Sequence, residues 1–311
     1  MITKAQPAWP GHVLVAGIVI AVAMLLYARG NGPAPGSEQH AALPAGPADL
    51  RGFRTNAWML PSDTLLGFVE VPAGPFIMGS GKSTDPLAFD NERWSQEQAQ
   101  GTVDVPAFYI GRFEVTVAQF QMFVAATSRK IESQALASPP AHPVVFVTWP
   151  DALAYCRWLE AELKSFSATP AALKDRLNEG WHVTLPSEAE WEKAARSADG
   201  RRYPWGNDAG SGSANLATQN TVPVGSIACP DCAYGLSDLS GNVWEWTRSP
   251  YQPYPYDPAD DSSTIGADAL WVMRGGGFND SEQMGRATTR GAADPGVRRP
   301  FIGFRIVLTR N

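Results

Sequence analysis

Leu185-Pro-Ser-Glu-Ala-Glu-Trp-Glu-Lys-Ala-Ala-Arg196 carries the clearest local signal in the chain. Ser187 is followed three residues later by Glu190, the spacing of a capping box. In that arrangement each side chain accepts from the other residue's backbone N–H, so two donors that a helix start leaves orphaned are satisfied. A short helix is therefore expected through Trp191 and Ala195. Moving toward the N-terminus, Thr148-Trp-Pro-Asp151 opens a second helix, with Ala152, Tyr155, Trp158 and Leu159 at helical spacing. Thr116 can cap a third from Val117, with Phe120 and Phe123 on one face. Further out the period changes. Phe68-Val-Glu-Val-Pro alternates and meets the turn Ala73-Gly-Pro, and Phe76 to Ser80 is a second short strand. Lys82 to Gln100 is polar and loop-like, and Val103 to Val115 reads as strands carrying Phe108, Tyr109 and Phe113. Beyond Arg201 loops and short strands dominate. Three short helices in a long irregular body predict an α+β fold with little regular secondary structure.

Composition agrees with that body. The 311 residues are 44% hydrophobic and include 29 Gly and 26 Pro. Gly and Pro are thus about 18% of the chain against roughly 12% in ordinary usage, which argues against long helical bundles and helical repeats. No internal repeat is apparent. Eleven Trp spread across loops suggest that indole rings fill the interior of a fold poor in regular structure. The net charge of -6, without a basic stripe, excludes a nucleic-acid partner, because neutralising phosphate needs Lys and Arg. Of the four His, His12 and His40 lie near the N-terminus, leaving His142 and His182. A three-His metal centre within one folded domain is thereby excluded.

Val13 to Ala28 reads VLVAGIVIAVAMLLYA without a charge, and Gly11 and His12 extend the run. That approaches the roughly 20 residues of a membrane-spanning helix. Residues 1–28 are expected to act as an uncleaved anchor, inserted in the inner membrane through residues 11–28, with the domain on the periplasmic side. A cleaved signal peptide is the alternative. Residues 29–64, rich in Gly, Ala and Pro, read as a flexible linker, and a single domain is expected over 65–311.

Eight segments within this domain form an ordered set. They are Val71-Pro-Ala-Gly-Pro-Phe-Ile-Met-Gly-Ser, Glu114-Val-Thr-Val-Ala-Gln-Phe, and His142-Pro-Val-Val-Phe-Val-Thr-Trp-Pro-Asp-Ala-Leu-Ala-Tyr-Cys-Arg-Trp. Leu185 to Arg196 follows, then Tyr203-Pro-Trp-Gly-Asn, Gly241-Asn-Val-Trp-Glu-Trp-Thr, Arg274-Gly-Gly-Gly-Phe and Ile302-Gly-Phe-Arg. Together they resemble the formylglycine-generating enzyme, or sulfatase-modifying factor, family. The resemblance implies a sulfatase-modifying-factor fold with a C-type-lectin-like element. Relatives in that family include formylglycine-generating oxidases, pyoverdine-maturation proteins, sulfoxide synthases of ergothioneine assembly and nitrite-reductase accessory proteins. The fold therefore leaves the reaction open.

Formylglycine generators carry two Cys between the Gly-Gly motif and the terminal Gly-Phe-Arg, where they bind Cu(I), a soft metal suited to thiolates. Here Gly275 to Arg305 holds no Cys. Asn279, Asp280, Ser281 and Glu282 occupy the loop, and none can form a mixed disulfide. Copper and formylglycine production are not expected. The sulfoxide-synthase reading lacks the His-rich helical domain that supplies iron ligands. The resemblance also implies calcium, held by the Asp238 and Glu245 side chains and the Gly241 and Val243 carbonyls. Hard cations want several oxygen ligands, which such a loop can supply. The alternative is that both acids merely hydrogen-bond the loop. Asn215 and Leu216 match half of a second, weaker calcium site, whose other half, Ala217 to Gly225, lacks an Asp.

The remaining candidates stay open. Cys229-Pro-Asp-Cys232 can be a structural disulfide, a pair of free thiols, or a redox or copper pair. Cys156 falls on the apolar face of its helix and reads as a buried free thiol, since Ile306 stands where relatives often place its partner Cys. His142 and His182 read as structural. Arg274, Arg286, Arg290 and Arg305 read as salt-bridge partners that hold loops. Asp280, Glu282, Arg286 and Arg290 also flank the family's cleft, where the two arginines could meet an anionic substrate group. The expected function is a membrane-tethered periplasmic accessory or maturation factor acting on another exported protein, with nitrite reductase as one association. A Cys-independent oxidoreductase of the pyoverdine-maturation type, working on a peptide-derived substrate, is the alternative.

Overall fold

A computed structural model describes residues 65–310 except Ala168, Ser211 and residues 265–268. The expected N-terminal anchor and linker lie outside the described residues. Among the described residues no helix is long and apolar enough to cross a membrane.

All three capping signals form helices. Helix α1 spans Val117–Thr127, with Thr116 Oγ1 accepting from Gln119 N at 3.3 Å and Gln119 Oε1 accepting from Thr116 N at 2.7 Å. Helix α2 spans Trp149–Ser165 behind a box of Thr148 and Asp151. Helix α3, Ala171–Asn178, was not expected; it starts directly after Pro170, whose side chain caps nothing, and buries Leu173 and Leu177. Helix α4, Glu188–Arg196, is capped by Ser187 and Glu190 as expected. The structure thus has four α-helices among the described residues where three were expected, and α2, at 17 residues, is not short.

Among the described residues the strands are short and fall into three sheets. In the first, β1 (Phe68–Val71), β4 (Phe108–Gly111), β10 (Val307–Thr309) and β5 (His182–Thr184) lie side by side in that order, all antiparallel. The second pairs β2 (Gly74–Met78) with β3 (Gly101–Val105). The third runs β8 (Gly291–Ala293), β7 (Trp271–Arg274), β6 (Trp244–Pro250), β9 (Ile302–Gly303). Its one parallel pair sets Trp244 opposite Ile302 and Glu245 opposite Gly303. That pairing delivers Arg305, two residues past β9, beneath Glu245.

Among the described residues two hydrophobic cores result. One joins α1 and α2 through Phe120, Phe123, Tyr155 and Phe304, with Trp149 stacked on Trp271 at 3.9 Å between ring centroids. The other packs Trp191, Ala194 and Ala195 of α4 against Phe76, Met78, Phe108 and Ile110. Trp149, Trp191, Trp246 and Trp271 are all fully buried, in line with the interior role read from the Trp count. Every residue of α4 is buried, its charged ones included. Burying a charge is tolerable only when it is paired and hydrogen-bonded. Arg196 meets that condition by donating to Gly79 O and Glu192, both at 2.9 Å. Lys193 is held by carbonyls, donating to Pro72 O at 2.7 Å and Gly74 O at 2.8 Å, and burial lowers its pKa.

Candidate functional site

The Asp238–Glu245 loop is shaped by close backbone contact. Gly241 has φ +80°, and a Cβ there would stand 2.3 Å from Asn215 O, so no other residue fits. Gly303 lets β9 approach equally closely, since its Cβ would meet Val144 O at 2.5 Å. The chain then brings Arg305 to Glu245. Glu245 accepts from Arg305 Nε and Nη2, both at 2.6 Å, and from Trp191 Nε1 at 2.6 Å. Arg305 also donates to Gly111 O and Ser237 O, each at 3.0 Å. Both side chains are wholly shielded from solvent.

Asp238, in the left-handed region at φ 59°, lies beside this pair. Its Oδ2 accepts from Gly225 N at 2.7 Å. Against it stands Glu114, buried between β4 and α1. Glu114 Oε1 accepts from Asn242 Nδ2 at 3.0 Å, and its Oε2 receives no donor. Burial, and then the neighbouring Asp238, holds the Glu114 carboxyl well above the usual carboxylate range. Burial likewise raises Asp238, against the opposing hydrogen bond from Gly225. Three carboxyl groups thus share one guanidinium.

Asn215 and Leu216, the weaker calcium candidates, serve the same loop. Asn215 O accepts from Asn242 N at 2.9 Å, and its side chain donates to Asn220 O at 3.0 Å. Leu216 sits where it would block any side chain at Gly285. Among the described residues no three His, Cys, Asp or Glu side chains converge on a metal position. The oxygen-only donors and surplus of buried carboxyls around Asp238 fit a hard cation. Glu245 differs, because three of its roughly four lone-pair directions already accept hydrogen bonds.

The loop after β7 is ordered by internal ties. Asp280 Oδ2 accepts from Trp244 Nε1 at 2.7 Å and Gly277 N at 2.9 Å. Glu282 is exposed. Arg286 is fully buried and grips Glu92, with Nη2 to Oε1 at 2.6 Å and Nη1 to Oε2 at 2.8 Å, and also meets Asp85 at 3.1 Å. Arg290 pairs with Glu188 at 2.6 Å and lies over the Tyr254 ring at 4.0 Å. The expectation that Arg286 and Arg290 could receive an anionic substrate group is corrected here. Their hydrogen-bonding edges are spent on carboxylates and carbonyls of the fold, so they hold loops, as the salt-bridge reading of the arginines had it.

Residues 58–310 match the family described as the sulfatase-modifying factor enzyme 1-like domain. The chain belongs to that family. It is 29% identical to hercynine oxygenase of Mycolicibacterium smegmatis over 285 residues, covering 76% of this chain and 60% of that protein. It is also 29% identical over 296 residues to the inactive C-alpha-formylglycine-generating enzyme 2 of Mus musculus, covering 76% and 84%. Among solved structures it resembles PvdO from Pseudomonas aeruginosa, with a TM-score of 0.62 and 25% identity over 78% of this chain and 93% of that one. The chain spans about 60% of the length of the hercynine oxygenases it matches.

In this sulfatase-modifying-factor domain none of the three cysteines falls between Gly275 and Arg305. Cys229 and Cys232 form a disulfide with Cα atoms 5.3 Å apart, which settles the three readings of the CxxC. Cys156 is a buried free thiol, as read from its helix face, and burial pushes its pKa up. His142 Nδ1 lies 2.9 Å from Thr221 Oγ1. His182 lies in β5 on the rim of a solvent-open groove of about 670 Å³.

Two features escaped the sequence reading. Glu114 opens one of the family segments, yet nothing in Glu-Val-Thr says that it faces Asp238, 124 positions later. The groove was equally hidden; its wall includes Asp104, Glu190, Arg248, Tyr256 and Asp261. Asp261 accepts from Tyr256 and Ser249 and is pushed up to about 6 by burial, against the pull of Arg248.

Proposed function

We propose that this protein is a membrane-tethered accessory or maturation factor on the periplasmic side of the inner membrane, using its domain to hold another exported protein or a peptide-derived substrate. One observation carries this reading: the loop between Gly275 and Arg305 holds no thiol, and Asp280 within it is used to hold Trp244 and Gly277. Copper-dithiol oxidation has no residues to work with there. The likeness to a mammalian relative described as inactive agrees with a domain kept for binding. Association with nitrite reductase is the narrower form of the proposal. Calcium belongs to it as a structural ion of the Asp238 loop, which supplies oxygen donors and takes no part in bond chemistry.

The test is affinity capture of the full chain from membranes, followed by mass spectrometry. One reproducible exported partner supports the reading. Conversion of a Cys-type sulfatase peptide to its aldehyde in the presence of Cu(I) contradicts it. The likeness to PvdO favours a second reading, a Cys-independent oxidoreductase of the pyoverdine-maturation type. Turnover of a peptide-derived substrate without any stable protein partner would select it.

A further inference from the structure

We propose that the groove beside β3 takes an extended peptide segment of another chain, added as a strand to the open edge of β3, with a lysine or arginine side chain of that segment set against Asp104 and Asp261. The inference rests on the reading that the domain holds another protein or a peptide-derived substrate, and it names the surface and the type of sequence. Among the described residues β3 pairs with β2 and with no other strand. In an antiparallel ladder, pairs that exchange both hydrogen bonds alternate with pairs that exchange none. Asp104 lies opposite Pro75, which has no N–H to give, and Thr102, two positions back, lies opposite Ile77. The backbone N–H and C=O groups of Thr102 and Asp104 therefore face away from β2. They bond no other backbone group among the described residues. An edge of this kind is a template for a further strand. Val103 to Pro106 line the groove, so the edge runs along it.

The groove's volume of about 670 Å³ falls within the roughly 300–1,000 Å³ of ligand sites. Its charges select the occupant. Glu190 is satisfied by Ser187 N, Thr309 Oγ1 and Arg248 Nη1. Asp261 is held by two hydroxyls, those of Ser249 and Tyr256, and feels Arg248 only at longer range. Asp104 is exposed and makes no ion pair among the described residues. Lys193, close enough to feel Asp104, spends its ammonium on the carbonyls of Pro72, Gly74 and Val105. His182 stands at the rim. Arg248 is 4% exposed, and its Nη1 donates to Glu190 and to Leu185 O. Its Nε and Nη2 meet no acceptor among the described residues. The groove thus offers a buried donor edge suited to a peptide carbonyl and two carboxylates short of a cation. An acidic side chain in the same place would face both carboxylates as a like charge.

The experiment selects a phage-displayed random nonapeptide library on the full chain in detergent at neutral pH, then measures the selected peptide by fluorescence anisotropy. Wild type is compared with Asp261→Asn, Asp104→Asn and Thr102→Pro, and near-ultraviolet circular dichroism checks the fold of each. Thr102→Pro removes one outward N–H and spares the ladder to β2, a change that edge strands tolerate. Wild type should enrich lysine or arginine at one fixed position. Asp261→Asn should weaken the selected peptide about fivefold, the upper end for partly solvated ion pairs. Thr102→Pro should weaken it about fivefold as well, the scale of one lost hydrogen bond. Asp104→Asn, on the exposed wall, reads the same charge preference if the Asp261 variant does not fold. No enrichment, enrichment of acidic residues, or a selected peptide bound equally by wild type and all three variants overturns the proposal. An exported partner captured equally by wild type and by the groove variants overturns the groove and leaves the wider reading standing. A basic peptide that needs Asp261 and Thr102, with no exported partner captured by wild type, supports the groove and counts against the wider reading.

Discussion

Helix α4 touches two buried clusters of acids and arginines that are balanced differently. On one side, Asp85, Glu92, Glu188 and Glu192 meet Arg196, Arg274, Arg286 and Arg290. These four carboxylates face these four guanidiniums, with Arg202 as a fifth on Asp85 at 3.2 Å, and each acid is matched. On the other side, Glu114, Asp238 and Glu245 surround Arg305. The residue types are the same, and so is the degree of burial. The first cluster is complete in itself and ties the loops around residues 79–92 and 286–290 to the helix. The second has anionic capacity left over. Charge balance therefore separates a structural tie from a place that can receive something, where counting conspicuous arginines does not.

Breaking the balanced cluster should have the largest effect. Arg274→Met leaves Glu188 and Glu192 each short of a partner inside the protein, although neither loses every one. A loss of about 3–5 kcal/mol in denaturant unfolding is expected, because a stranded buried charge costs more than its pair contributed. A loss below 1 kcal/mol would show that water reaches the cluster.

The groove offers an intermediate case, with Glu190 and Asp261 sharing Arg248 and the Tyr256 hydroxyl beside them. Asp261 is raised from 3.8 to about 6. The folded protein therefore takes up this proton before the unfolded chain does as pH falls. The stability that Asp261 contributes grows as pH falls from about 6 toward 4, and is lost as pH rises through 6. Two units correspond to about 3 kcal/mol at most. Wild type should gain that much relative to Asp261→Asn between pH 7 and pH 4. A constant difference between the two proteins across this range would refute the shift.

Relieving the unbalanced cluster should have a smaller effect. In chelator, Glu114→Gln removes surplus charge and offers Asp238 a donor, so stability should stay within about 1 kcal/mol of wild type or rise. A large loss would place Glu114 among the ties. The smallest effect belongs to the Asp199–Arg201 pair, whose carboxylate is exposed, where Asp199→Asn should change stability by less than about 0.5 kcal/mol, as solvent-screened pairs do.

Local signals in the chain were read with success where the physics is local. Thr116, Thr148 and Ser187 each cap a helix because donor and acceptor lie three residues apart and need no distant partner. The helix after Pro170 lacks such a side-chain cap, and it was missed. Cys156 was placed correctly from its helical face. The Cys229–Cys232 bridge was one of three open readings, because spacing alone does not say whether two thiols are joined.

The sequence by itself determined the α+β class, the family and the absence of a thiol between Gly275 and Arg305, since each depends on which residues occur and in what order. Only the tertiary structure decided the roles of the arginines and of Glu114. Arg286 became a tie because Glu92, 194 positions away, fills its fork, and Glu114 gained its interest because Asp238 faces it where Arg305 is already taken. Hydrogen-bond satisfaction is a property of spatial neighbours, and for buried charges those neighbours come from distant segments that converge when the sheets and α4 pack.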